Sequence, residues 1–194
     1  LSGFISKDYA EFEHRMVKED VARLRNAFEN RIEDLDTKLG DWAQWDDTYQ
    51  FIIDRDAEYT ESNLQTEAFE VLKIDVVVIT DREGNIIFSG QLVDGERRPI
   101  LDSLTEFIRS RQFHYRGEEH VNRRGLLSLP EGAFVFAVRD VTSSDGTAES
   151  NGHILFGFFV SAETEELLSH LVQHKVRIDP VSAVSEDSNK VSSL

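Results

Sequence analysis

The amino-acid sequence predicts an α+β domain, in which a long N-terminal helix precedes an antiparallel sheet with packed helices. Two features of the 194-residue chain predict this class. Residues 7–39 contain neither Gly nor Pro and carry apolar side chains at helical spacing. After them, runs of β-branched and aromatic residues alternate with Gly-containing turns, and one more amphipathic segment lies between the runs.

The first helix is predicted over residues 7–39. Its apolar positions recur every three or four residues, at Val17, Val21, Leu24, Phe28, Ile32, Leu35, Leu39 and Trp42. At about 1.5 Å per residue the helix approaches 50 Å in length, so we expect it to project from the domain or to pair with another helix. Gly40 is expected to interrupt it. We therefore divide the chain into a helix at 1–40, an α+β unit at 41–180 and a polar tail at 181–194.

Two shorter helices are expected before the sheet. Asp41 is a suitable N-cap for the first of them, and the second is predicted over residues 61–72. The sheet then begins with a β-hairpin. Its strands are predicted at 74–80 and 86–89, on either side of a turn that contains Gly84.

The second half of the chain supplies a further helix and further strands. Pro99 starts an amphipathic segment, a position where proline is well tolerated. Strands are predicted over 133–138 and 153–160, with a polar loop between them. Ser161 is expected to cap a last helix, followed by a strand at 175–178.

Charge and length exclude several classes of protein. The net charge is −16, distributed as −13 over residues 1–96, +3 over 97–124 and −6 over 125–194. So acidic a surface repels phosphate backbones and anionic lipid head groups, and we expect neither nucleic-acid binding nor peripheral membrane attachment. No apolar run reaches the roughly 18 residues that a membrane span needs. Because the chain lacks an initiator Met, we interpret it as part of a longer protein.

Motifs for catalysis and for cofactors are absent from the sequence. The chain has no cysteine, which excludes thiolate nucleophiles and thiolate metal sites. It contains neither a phosphate-binding glycine loop nor a nucleophile elbow. Two groupings could hold a metal, His170 with His174, and His114 with Glu118, Glu119 and His120. Both are explained at least as well by solvated side chains as by metal ligation. We predict a domain that is not an enzyme and holds no cofactor or metal.

The basic segment 97–124 stands out against the acidic composition. Arginine side chains form forks that suit carboxylate and phosphate groups. The candidate ligand residues are the donors Arg111, Tyr115, Arg116 and Arg123 and the apolar strand residues Phe134 and Phe136. The alternative is that these arginines only neutralise the acidic N-terminal half.

An aromatic and acidic cluster follows the first helix. Trp42, Trp45 and Tyr49 could stack on a ligand, and Asp46 and Asp47 could bind a cationic amine. The alternative is structural, because aromatic residues at helical spacing pack a helix onto a sheet. We interpret the tryptophans as structural, and we leave both alternatives open for the aspartates.

The segment Asp41–Phe51, with its Trp-x-x-Trp-Asp-Asp-x-Tyr core, resembles the signature of the fourth type of CHASE domain. CHASE domains are sensory extracellular domains associated with cyclases and histidine kinases. Asn63-Leu64, the strand region with Asp81 and Gly84, and the later strand Gly152–Gly157 are also similar to the pattern of this family. The similarity covers roughly residues 10–172.

The resemblance implies a periplasmic module held between two membrane helices of an inner-membrane signalling protein. A long N-terminal signalling helix, here residues 1–40, would lead into a PAS-like or Cache-like sensor domain at 41–180. Residues 181–194 would be a flexible tail or a membrane-proximal connection. Binding would be relayed through this helix to a cytoplasmic output: a cyclic-di-GMP cyclase or phosphodiesterase, a histidine kinase or a chemoreceptor. The apolar stripe of the helix independently predicts that it pairs with its twin in a homodimer.

The resemblance also implies a place for the ligand. In PAS-like and Cache-like folds the pocket lies between the sheet and the segment that crosses it, and residues 109–124 would occupy that position. The expected ligand is a small anionic metabolite such as a carboxylic acid. The alternative to a ligand sensor is a protein-interaction domain, namely a structural or dimerisation module that senses a periplasmic protein partner. The acidic loop at 145–152 and the serine-rich end depart from the family pattern.

Overall fold

The computed structural model describes residues 2–110 and 123–161, together with residue 166. The helices and strands of these residues are α1 Ser2–Ala43, α2 Asp46–Asp54, α3 Ala57–Asn63, α4 Thr66–Leu72, β1 Val76–Asp81, β2 Ile86–Val93, β3 Glu96–Arg98, α5 Asp102–Arg109, β4 Arg123–Leu129, β5 Gly132–Val141 and β6 Gly152–Phe159. The helix predicted after Ser161, the strand predicted at 175–178 and the tail at 181–194 lie outside the described residues.

The strands form one six-stranded antiparallel sheet in the order β3-β2-β1-β6-β5-β4. The two central strands, β1 and β6, pair in the register that joins Val78 to Leu155. Residues 76–80 of β1 are all buried, because both faces of this strand are covered. The predicted α+β class with an antiparallel sheet is confirmed.

Helices cover both faces of the sheet. Successive side chains of a strand point to opposite faces, so β1 sends Val77 and Ile79 to one face and Val76 and Val78 to the other. The first face, which we call the α1 face, packs against α1, α2, α3 and α4. The second face, which we call the α5 face, packs against Leu104 and the rest of the apolar side of α5.

The helix α1 is longer than the sequence predicts. It spans 42 residues, about 63 Å. It continues through Gly40, so the prediction that this glycine interrupts the helix is wrong. Leu35, Leu39 and Ala43 are buried against the sheet, and Phe28 is partly buried beside them. The sheet therefore occupies the apolar stripe of α1 from Phe28 onward.

The helices between α1 and the sheet differ from the predicted ones in their bounds and number. Asp41 lies within α1 and does not cap a second helix; instead, α2 begins at Asp46, after Trp45 in an extended conformation (φ −133°, ψ 129°). The single helix predicted over 61–72 is wrong, because the chain leaves helical geometry at Leu64. Leu64 is only 1% exposed, so the break turns an apolar side chain into the core between α3 and α4.

Candidate ligand-binding site

The predicted wall residues of the ligand site both project from β5 onto the α5 face. Phe134 is fully buried, and its ring lies over Gly157, where a side-chain Cβ would have no room. The same ring lies 4.9 Å, centroid to centroid, from that of Phe159. Phe136 is partly exposed and meets Phe107 of α5 edge-on at 5.4 Å. Of the two, Phe136 has surface to offer a ligand, whereas Phe134 fills the core.

Arg123 lies on the same face as these two residues. It is the first residue of β4 and pairs with Val138 of β5. Because directly paired residues share a face and Val138 is buried on the α5 face, Arg123 projects to that face too. The structure thus brings three predicted ligand residues together. The other predicted donors, Arg111, Tyr115 and Arg116, lie outside the described residues.

A row of polar side chains crosses the α5 face at the end nearest the β1–β2 turn. This polar row consists of Thr80, His153 and Asp140, which are paired in register across β1, β6 and β5. The Thr80 hydroxyl lies 3.3 Å from Nδ1 of His153, and Nε2 of His153 lies 3.4 Å from a carboxylate oxygen of Asp140. Thr80 is fully buried, and the other two side chains are each 13% exposed.

The polar row adjoins Arg123, since Asp140 lies two positions after Val138 on the same face of β5. A neutral His153 with its proton on Nε2 can donate to Asp140 and accept from Thr80; a protonated His153 would form an ion pair with Asp140. The polar row therefore provides hydrogen-bond donors and acceptors next to the apolar side chains of the α5 face. The sequence did not predict these three residues. The signal that it holds is a polar residue close to the end of an apolar strand, at the C-terminal ends of β1 and β5 and at the N-terminal end of β6.

The tryptophans lie between α1, α2 and the α1 face. Trp42 meets Phe156 of β6 edge-on at 5.6 Å and Trp45 edge-on at 5.8 Å. Trp45 in turn lies 6.1 Å from Tyr59. Tyr49 packs beside the same core. Aromatic side chains that join two helices to a sheet in this way support the structural interpretation.

Tyr59 is the buried centre of this aromatic cluster. Its hydroxyl lies 2.7 Å from the hydroxyl of Thr48, and its ring stacks on Phe51 at 4.5 Å. Burial raises the pKa of Tyr59 to about 12. The phenol is therefore neutral at physiological pH, and it acts as a hydrogen-bond partner that fixes α2 against α3.

The structure separates the two aspartates of the signature. The Asp46 carboxylate accepts a hydrogen bond from the backbone N–H of Ser144 at 2.8 Å, and its own backbone N–H donates to the Ser144 hydroxyl at 3.1 Å. Asp46 thus holds the β5–β6 loop. Asp47 lines an open pocket of about 330 Å³. This acidic pocket is lined by Asp47, Gln50, Phe51, Asp54, Asp56, Glu58, Tyr59, Ser62 and Asn63.

Asn63 also has a structural contact, because its side-chain amide donates to the carbonyl of Tyr59 at 3.1 Å.

Within residues 2–110 and 123–161, no three His, Cys, Asp or Glu side chains converge in a way that could hold a metal ion. Among the helices described above, none is both long and apolar enough to cross a membrane.

Solved structures share this fold. The periplasmic domain of LuxQ from Vibrio cholerae matches with a TM-score of 0.53 and 17% identity, over 91% of this chain and 81% of that one. The sensor domain of the V. cholerae histidine kinase DctB gives 0.53 and 13%, over 85% and 62%. The ligand-binding domain of the Campylobacter jejuni chemoreceptor Tlp3, solved with L-valine, gives 0.52 and 13%, over 88% and 66%. The fold is that of the PAS-like and Cache-like sensor domains, as expected.

The chain belongs to the CHASE4 domain family, whose pattern matches residues 27–179. It is therefore a sensor domain, which confirms the resemblance. The methanogenesis regulatory histidine kinase FilI of Methanothrix harundinacea (strain 6Ac) is 24% identical over 182 residues. This match covers 92% of the chain but only 19% of FilI, so the chain spans about a fifth of the length of its curated relative.

Proposed function

We propose that this chain is the extracytoplasmic, ligand-sensing input domain of a membrane-bound signalling protein, with its ligand on the α5 face. The observation that carries the proposal is the meeting of Arg123, the polar row and the partly exposed side chain of Phe136 on one face of the sheet. The α1 face is filled by apolar side chains from four helices. Membership of the CHASE4 family supports the sensory role.

A small carboxylate is the ligand class that this site favours. The segment 97–124, which ends beside the polar row, carries a charge of +3 in a chain of −16 and would concentrate small anions. The guanidinium of Arg123 can bind a carboxylate, and Phe136 can supply an apolar wall. L-valine, with which the Tlp3 domain was solved, also carries a carboxylate. The further proposed ligand residues are Arg111, Tyr115 and Arg116. Phe134, also predicted as a wall residue, is fully buried and would support the apolar wall from within the core without contact to the ligand.

A thermal-shift screen of organic acids and amines on the purified domain tests this proposal. We expect at least one carboxylate to stabilise the domain and Arg123→Gln to weaken its binding by about tenfold or more, because a hydrogen bond to a charged group contributes about 1.5–3 kcal/mol. Arg25→Gln on α1 is the control and should leave the affinity unchanged, since its side chain is 71% exposed. Carboxylate binding that is insensitive to Arg123→Gln would contradict the site.

The acidic pocket favours a second candidate ligand, a cationic amine. Four carboxylates surround the pocket, and the stacked rings of Phe51 and Tyr59 form part of its wall. Carboxylates and aromatic faces both attract ammonium groups. In the same screen, stabilisation by amines alone, lost in Asp47→Asn, would move the ligand site from the α5 face to this pocket.

We also propose that α1 relays ligand binding and pairs with its twin in a homodimeric inner-membrane receptor. Residues 1–40 would act as the signalling helix, 41–180 as the sensor domain and 181–194 as a tail or membrane-proximal connection. The output would be a cyclic-di-GMP cyclase or phosphodiesterase, a histidine kinase or a chemoreceptor. The similarity to FilI, a histidine kinase, supports the kinase among these.

The helix pairing can be tested by crosslinking. Cysteine at Leu24 should form a disulfide between subunits in membranes that contain the intact receptor, because Val17, Val21 and Leu24 continue the apolar stripe before Phe28. Phe28→Cys should crosslink poorly, since this position packs on its own sheet.

Arg25→Cys is the control for random collision, because its side chain is largely exposed. If Leu24→Cys does not crosslink while the receptor still signals, the pairing is wrong. Crosslinking in a domain that binds neither acids nor amines would favour the alternative, a dimerisation module that senses a periplasmic protein partner.

A further inference from the structure

An ion-pair cluster joins α1 to the sheet. Asp36 of α1 accepts hydrogen bonds from Nε and Nη2 of Arg139 on β5 at 2.8 and 2.9 Å, which is bidentate geometry. Nη1 of Arg124 on β4 adds a third hydrogen bond at 3.2 Å. The Asp36 side chain is 15% exposed and that of Arg139 is 32% exposed. We call the pair of Asp36 and Arg139 the clamp.

Gly40 makes room for the clamp. Glycine inside a helix costs about 1 kcal/mol relative to alanine, so its place within α1 needs a reason. A Cβ at this position would lie 3.1 Å from Nη1 of Arg139. The guanidinium therefore lies directly against the helix backbone, one turn beyond Asp36.

Both members of the clamp are held in their charged forms. The hydrogen bonds from Arg139 are the largest cause that lowers the pKa of Asp36, and Asp36 raises the pKa of Arg139 in return. Separating the pair would leave each partly buried charge without its main partner, which is costly. The clamp therefore favours one position of α1 on the sheet over displaced ones.

The strand β5 connects the clamp with the α5 face. Arg139 projects to the α1 face, while its neighbours Val138 and Asp140 project to the α5 face. Phe136, the partly exposed wall residue of the proposed ligand site, lies three residues earlier on this strand. A displacement of β5 by a molecule on the α5 face would thus move Arg139 relative to Asp36.

Two contacts of the β5–β6 loop tie it to the C-terminal end of α1 and to the start of α2. The backbone N–H of Thr142, directly after β5, donates to the carbonyl of Ala43 at 2.9 Å. Ser144 exchanges its two hydrogen bonds with Asp46. Together with the clamp, these contacts join β5 to α1 at two levels along the helix.

We infer that the clamp is the coupling contact through which β5 sets the position of α1. The inference rests on the proposed function in taking the α5 face as the ligand face. The packing of Leu35 and Leu39 is not directional and permits small shifts of the helix, whereas a bidentate ion pair specifies one geometry. Asp36 and Arg139 are therefore positioning residues. They lie on the α1 side of the sheet, opposite the proposed ligand, and determine how much a displacement of β5 moves α1.

A double-mutant cycle between Phe136→Ala and Asp36→Asn tests the coupling without any ligand. The readout is amide hydrogen exchange of residues 30–43 of α1 in the domain. Phe136→Ala disturbs β5 from the α5 face, and we expect it to accelerate exchange in this segment about fivefold or more when the clamp is intact. In the Asp36→Asn background the same substitution should change exchange by less than about twofold, because the connection is already broken.

Asp34→Asn is the matched control, because Asp34 is an exposed residue of α1 that pairs with Lys38 on the same helix. In this background Phe136→Ala should keep its full effect. Arg139→Lys retains the charge but cannot form the fork, so it should behave like Asp36→Asn and replaces that variant if it does not fold. Equal effects of Phe136→Ala in all four backgrounds would overturn the inference.

The cycle and the ligand screen have separate outcomes. A non-additive cycle in a domain that binds no ligand on the α5 face supports the coupling contact and rejects the proposed ligand site. Carboxylate binding that depends on Arg123, combined with an additive cycle, supports the ligand site and rejects the coupling contact.

Discussion

Trp42→Ala is expected to lower the free energy of unfolding by about 3 kcal/mol. The indole meets Phe156 and Trp45 edge-on at 5.6 and 5.8 Å, so its removal opens a cavity between α1 and the central strand β6. For a domain of 194 residues this loss corresponds to a fall of roughly 6–12 °C in Tm. Thermal unfolding followed by circular dichroism measures it.

Val71→Ala is the control for this experiment, because Val71 is 79% exposed and its truncation should change stability by less than about 0.5 kcal/mol. Trp45→Ala should act in the same direction as Trp42→Ala. An unchanged Tm for both tryptophan variants would contradict the structural interpretation and return the indoles to a ligand-binding role.

Gly157→Ala should also destabilise the domain, although it adds only one methyl group. A Cβ at this position of β6 would overlap with the ring atoms of Phe134. That ring has little freedom to move, because it is fully buried and packs on Phe159. Overpacking of a filled core costs about 1–3 kcal/mol, and we expect Gly157→Val to cost more than Gly157→Ala. Urea unfolding at constant m-value gives the difference.

A second substitution tests the cause of this effect. Phe134→Leu removes the ring, so Gly157→Ala should cost less in the Phe134→Leu background than in the wild type. Gly125→Ala is the control, since a Cβ there would meet Phe136 only at an ordinary 3.9 Å. Wild-type stability of Gly157→Ala would show that Phe134 does not lie over β6.

The central strands could be predicted because they are covered on both faces. Residues 76–79 of β1 form a continuous apolar run, and β6 is similar. The strand β4 escaped prediction, since it lies at the sheet edge and begins with Arg123 and Arg124. The predicted interruption of α1 at Gly40 was wrong because its cause is not local in the sequence. The group that explains it, Arg139, lies about a hundred residues further along the chain, where local sequence rules do not reach.

The candidate site could be predicted only in part. Charge and apolar character indicated Arg123 and Phe136, and the register of β4 and β5 places both on one face. The burial of Phe134 could not be predicted, because it depends on the absence of a side chain at Gly157 on the neighbouring strand. The polar row could not be predicted either, since its members come from three strands and meet only after the sheet has formed.

The strand order has a consequence for how the domain assembles. The sheet consists of two meanders, β1–β2–β3 and β4–β5–β6, which meet where β1 pairs with β6. Each meander joins neighbours in the chain, whereas the junction pairs Val76 with Gly157, about eighty residues away. Closing so long a loop costs more conformational entropy than forming a hairpin, so we expect the junction to form after the hairpins and to be the slow step of folding. Until it forms, β1 and β6 each present an unpaired apolar edge, the geometry that promotes aggregation of newly made chains.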